Sequence, residues 1–103
     1  MNERAKMLEQ LISEDPKDPF LHYALAMETA KSNPAEATQL FKWVLAQYPN
    51  YLPAYYQAAL LHIELKDEQN AIAVLQEGIN LAKLLGEQKT LSELKSLLDQ
   101  LEE

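Results

Sequence analysis

The side chains able to do acid–base, nucleophilic or metal chemistry are few, and they are scattered. The two histidines, His22 and His62, stand 40 residues apart. Neither is followed by a carboxylate or a second histidine at the HxxE or HxxxH spacing that sets two ligands on one helix face. Glu68 follows His62 by six residues, across a turn. There is no Cys, so disulfides, thiol catalysis and thiolate metal sites drop out. Carboxylate pairs such as Asp67–Glu68 and Glu102–Glu103 lie at expected helix ends, where capping and the helix dipole account for them. Gly78 and Gly86 stand alone, so no Gly-rich loop is available to cradle a phosphate. The set predicts no catalytic residue, no metal site and no cofactor. The chemistry left to the chain is that of a surface, and the expectation is that it is not an enzyme.

The elements that carry this surface are expected to be helical. Ala, Leu, Glu, Gln and Lys dominate, Gly occurs twice and β-branched residues are thin. Sixteen acidic against nine basic residues give a net charge of −7, which repels a phosphate backbone and argues against nucleic acid. No apolar run approaches the roughly 18–20 residues of a membrane span, so no membrane partner is expected. The start, Met1-Asn2-Glu3-Arg4-Ala5-Lys6, lacks the apolar stretch of a secretory signal, and a cytoplasmic location is the expectation. Charge is heaviest over residues 86–103, where Glu87, Glu93, Asp99, Glu102 and Glu103 face only Lys89 and Lys95. A solvated helix face is the plain reading, and a basic partner docking there is the sharper one.

A shift of 34 residues brings the chain onto itself. It aligns Pro19 with Pro53, Ala24 with Ala58 and Ala37 with Ala71, and pairs Leu21 with Tyr55, Leu40 with Val74, Phe41 with Leu75 and Leu45 with Ile79. Each unit reads as two antiparallel helices. Asp18 caps a helix opening at Pro19 and running to about Lys31. Asn33-Pro34-Ala35-Glu36 opens the next, whose apolar face is Ala37, Leu40, Phe41, Val44, Leu45 and Tyr48, ended by Pro49-Asn50. In the second unit helices are expected near residues 53–65 and 68–84, with Asp67 as the cap between them.

Leu21-x-x-Ala24-Leu25, Ala37-x-x-x-Phe41 and Pro49, then Tyr55-x-x-Ala58-Ala59 and Ala71-x-x-x-Leu75, resemble the tetratricopeptide repeat. Small residues at Ala24, Ala37, Ala58, Ala59 and Ala71 let helix axes approach, and Phe41, Tyr55 and Leu75 fill the gaps. Three positions depart from the family pattern: Leu25 replaces Gly or Ala, Glu28 replaces an aromatic, and Lys83 replaces the closing Pro. The last departure predicts that the helix continues to about Leu85, where Gly86 ends it. Gly78, mid-helix, is expected to permit close packing.

The resemblance implies an all-α fold of antiparallel helix hairpins stacked as a short right-handed superhelix of about six helices, forming one domain over residues 1–103. Residues 18–51 and 52–85 are the repeats. Leu8, Leu11, Ile12 and Pro16 fall on Phe41, Val44, Leu45 and Pro49 at a shift of 33, so residues 1–16 read as a half-repeat helix carrying the apolar stripe Met7, Leu8, Leu11 and Ile12. Thr90-Leu91-Ser92-Glu93 has the form of a capping box, and residues 88–103 read as a terminal helix that covers the second repeat.

The resemblance also implies where a partner binds. First helices of successive repeats line a concave face, which places His22, Tyr23, Ala26 and Thr29, then Tyr56, Gln57, Leu60 and Glu64, on the peptide-binding side. His22 is expected to face outward, and His62 takes a part-buried packing position. Tyr56 and Leu60, one turn apart, form an apolar patch suited to a protein or peptide segment. Family members that grip a C-terminal carboxylate use Lys, Asn and Arg; His22, Ala26 and Tyr56-Gln57 stand in those places, so that clamp is absent. Trp43 lies off its helix's apolar face and is a candidate second interface, with packing on the N-terminal helix as the alternative. Leu91, Leu94, Leu98 and Leu101 have the spacing of a helix–helix seam, the alternative reading being a homodimer.

Overall fold

Side-chain caps open four helices of the computed structural model, which describes residues 2–103. The helices are α1 (Glu3–Glu14), α2 (Pro19–Ala30), α3 (Pro34–Gln47), α4 (Pro53–Glu64), α5 (Glu68–Leu85) and α6 (Gln88–Leu101). No strand occurs among the described residues, so the all-α expectation holds. Asn2 accepts from the Ala5 N–H at 2.7 Å, and Asp18 from Phe20 N–H at 2.9 Å. Asn33 accepts from Glu36 N–H at 3.1 Å, and its side-chain amide donates to the Glu36 carboxylate at 3.3 Å. Asp67 accepts from both the backbone and the side chain of Asn70, at 3.2 and 2.6 Å. Each bond satisfies an amide that the first helical turn leaves without an intrahelical partner.

The chain divides into two compact units, residues up to Pro49 and Asn50–Glu103. In the first, α2 packs on both α1 and α3. Its buried apolar side chains are Ala5, Leu8, Ala24, Ala26, Ala37, Phe41 and Val44. Of the α1 stripe only Leu8 is buried; Ile12 is half-buried, and Met7 and Leu11 are exposed.

In the second unit α5 packs on both α4 and α6. The buried set is larger: Leu52, Ala54, Tyr55, Ala58, Ala59, Leu61, Ala71, Leu75, Ile79, Leu81, Ala82 and Leu94. Gly78 is the point where three helices meet. A Cβ there would lie 2.8 Å from Tyr55 Cβ on α4 and 3.3 Å from Leu94 Cδ1 on α6. The lost side chain is therefore what brings both neighbours onto α5, and it outweighs the cost of about 1 kcal/mol that Gly carries mid-helix.

Two turns of this unit share one geometry. After α5, the Glu87 N–H reaches Ala82 O and the Gly86 N–H reaches Lys83 O, with Gly86 left-handed at φ 71°. After α4, Asp67 N–H reaches His62 O and Lys66 N–H reaches Ile63 O, with Lys66 at φ 64°. Both are Schellman ends, but the second puts a side chain in a conformation that favours glycine. The first corrects the expected capping box at Thr90: the tight reversal at Gly86 starts α6 at Gln88, behind Glu87, which makes no side-chain cap. Thr90 thus lies inside the first turn.

Candidate functional site

Pinning of α6 by Gly78, Tyr55 and Leu94 leaves a groove between α4 and α6. Tyr56 and Leu60 line one wall; Ser92, Glu93, Ser96, Leu97 and Gln100 line the other, around a volume of about 460 Å³. Leu60 is exposed and Tyr56 half-buried. The apolar patch expected at Tyr56 and Leu60 therefore has a second wall in α6, which repeat arithmetic did not supply. Gln57 is half-buried and does not line the groove, and Glu64 is exposed one turn beyond Leu60.

Three apolar side chains, two hydroxyls, one amide and one carboxylate make a surface that can hold a segment by contact and hydrogen bonds. They make no proton relay, since neither serine has a histidine among the lining residues. Among the described residues no three of His, Asp and Glu converge as a metal site would require. No helix is long and apolar enough to cross a membrane.

The other expected contact residues lie in the first unit. Ala26 is fully buried, so it presents no surface to a partner. His22, expected to face outward, is half-buried. Its Nε2 donates to the Pro16 carbonyl at 2.7 Å, and its ring lies 4.6 Å from that of Trp43 and 6.3 Å from that of Tyr48. An imidazole with one ring nitrogen so engaged, beside two aromatic rings, is a packing group. Trp43 stacks on this pair, edge to face with Tyr48 at 6.1 Å, yet keeps 43% of its surface exposed. Tyr23 meets Phe41 edge-on at 6.3 Å, and desolvation holds its phenol above the usual range. Thr29 is half-buried.

His62 is part-buried as expected, with Nδ1 3.9 Å from Asp67 Oδ2. The hydrogen bonds from the Asn70 side chain and backbone, and then His62, hold the Asp67 carboxyl below its ordinary value. The leucine stripe of α6 is largely used inside the chain. Leu94 is fully buried, and Leu91, Leu98 and Leu101 are half-buried, so a dimer seam would lack its central member.

Glu28 is a functional group that sequence reasoning passed over. It stands where an aromatic was expected, and it is the buried charge of the first unit. Asn2 Nδ2 donates to its Oε1 at 3.0 Å, while Lys31 Nζ and Arg4 Nε lie 3.0 and 3.3 Å from Oε2. Lys31 above all, then Asn2 and Arg4, hold its carboxyl below the usual range against the opposing effect of burial. The arrangement ties α1 to α2. The Glu28–Lys31 spacing was readable as a helix-face pair, but Asn2 lies 26 residues away.

Comparison with known proteins places these features in a family context. The family model described as tetratricopeptide repeat matches residues 53–77. A solution structure of a tetratricopeptide repeat domain protein from Salinibacter ruber is 38% identical, with a TM-score of 0.81 over 85% of this chain and 90% of that one. A crystal structure of a tetratricopeptide repeat domain protein from the same organism is 37% identical, with a TM-score of 0.77 over 84% and 97% of the two chains. A Bordetella parapertussis protein, 20% identical, shares the fold at a TM-score of 0.83 over 98% of this chain and 89% of its own. No curated protein matches the sequence.

Proposed function

The chain belongs to the tetratricopeptide-repeat family, and from that premise we propose that it binds a protein or peptide segment in the groove between α4 and α6. The fold is in general that of a protein-interaction module, and family members are generally non-enzymatic. On this reading residues 18–51 and 52–85 are the repeats, residues 1–16 a half-repeat helix and residues 88–103 a cap that doubles as a groove wall.

The observation that carries the proposal is that Tyr56 and Leu60, one turn apart on α4, keep accessible surface and face a second helix across open space. Accessible apolar side chains flanked by hydrogen-bonding groups suit a segment that buries a side chain while its polar groups find partners. In the first unit, taken by itself, Trp43 is a separate exposed anchor.

Affinity capture from the source cell tests the proposal, with the wild-type chain and a Tyr56→Lys, Leu60→Lys double variant as baits. Leu60 is exposed and Tyr56 half-buried, so the variant is expected to keep its helical circular dichroism. Partners recovered by the wild type are expected to be lost from the variant. Unchanged recovery removes the groove from the account.

A further inference from the structure

We infer that the groove selects a segment in which a bulky apolar side chain stands next to a Lys or Arg; this rests on the binding role proposed above and names the partner's chemistry. Tyr56, Leu60 and Leu97 supply the apolar surface, and Ser92, Ser96 and Gln100 supply neutral hydrogen-bonding groups. The one charged side chain in the lining is Glu93, and no Lys or Arg joins it.

Glu93 is not neutralised from within. Among the described residues no cation pairs with it, whereas Glu28 in the first unit has two cations and an amide. Lys89, one turn earlier on α6, and Lys95, two residues further on, form no ion pair with it. Beyond the groove Glu64, on α4, adds one more exposed carboxylate to Glu93 on α6. The whole second unit carries nine acidic against four basic residues, and so accounts for −5 of the net −7.

A segment laid over Glu93 removes water from one side of that carboxylate. An acidic segment then meets repulsion, and a wholly apolar one leaves the charge poorly solvated. A Lys or Arg answers the charge, and its methylene stem lies along Tyr56, Leu60 or Leu97 while the head reaches Glu93. The surrounding negative field also speeds encounter with a cationic segment.

Selection of a random peptide library on the intact chain tests this, followed by binding of enriched peptides to Tyr56→Ala/Leu60→Ala, Glu93→Gln and Glu93→Lys variants. Peptides that depend on Tyr56 and Leu60 are expected to pair Lys or Arg with Leu, Ile, Met or Phe. They should bind about two- to fivefold more weakly to Glu93→Gln, the range of an exposed ion pair, and more weakly still to Glu93→Lys. Added salt should weaken them further. Groove-dependent peptides that are neutral or acidic, or that ignore Glu93→Lys, overturn the inference and leave the binding role standing. A selection in which no enriched peptide depends on Tyr56 and Leu60 overturns both.

Discussion

The two units are built from similar helices but stabilised differently. The first has seven buried apolar side chains, a buried glutamate held by three partners, and a partly exposed aromatic cluster of His22, Trp43 and Tyr48. The second has twelve buried apolar side chains, a glycine at a three-helix contact, and no buried charge among its described residues. Its carboxylates lie instead at the surface and beside the groove. A carboxylate ties α1 to α2 in one unit, whereas in the other the carboxylates stay at the surface. Similar hairpins thus differ in what holds them together according to where carboxylates fall relative to the apolar face.

The largest effect that sharpens this contrast is expected at Leu94, which joins α6 to the core of the second unit. Leu94→Ala should destabilise by about 2–5 kcal/mol in urea unfolding, and it should loosen the groove wall that α6 supplies. A loss below about 1 kcal/mol would mean that α6 is not integral to the unit. Gly78→Ala comes next. Overpacking against Tyr55 Cβ costs about 1–3 kcal/mol, and the better helix propensity of Ala returns roughly 1, so a net loss of up to about 2 is expected. A more stable variant would contradict the close approach of Tyr55.

Lys66 marks a smaller effect of opposite sign. Its left-handed backbone predicts that Lys66→Gly stabilises by up to about 1 kcal/mol, read as a raised midpoint of unfolding, despite the added freedom of glycine in the unfolded chain. No gain would mean that the turn holds no strain.

The finest probe belongs to the first unit. The Glu28 carboxyl should titrate below its ordinary value of 4.5 by NMR, and Lys31→Gln should raise its midpoint more than Arg4→Gln. Because the folded-state value is depressed, the contribution to stability is present above the ordinary value. It is lost as pH falls through the folded-state value, and Glu28→Gln should remove that dependence. A larger response to Arg4→Gln would reverse the order of the partners.

Much of this was legible because its causes are local. Asp18, Asn33 and Asp67 announce helix starts through bonds two or three residues away, and Gly78 announces a close approach because nothing else justifies glycine mid-helix. What was not legible depended on distance or competition. Asn2 and Arg4 meet Glu28 only once α1 has docked. The reversal at Gly86 overrides a well-formed capping box at Thr90. Lys66 takes a left-handed turn with no glycine to signal it. His22 packs against Pro16, Trp43 and Tyr48, contacts that the spacing along its own helix does not show. The groove was half visible: Tyr56 and Leu60 follow from helical spacing, but the opposite wall comes from a helix that lies outside the 34-residue pattern.

The central claim is that binding resides in the groove of the second unit, and chemical-shift mapping of the isotope-labelled chain with a selected peptide tests it most directly. The account predicts perturbations at Tyr56, Leu60, Ser92, Glu93, Ser96, Leu97 and Gln100, with those residues responding together along one titration curve. Perturbations centred on Trp43, with the groove silent, would contradict it.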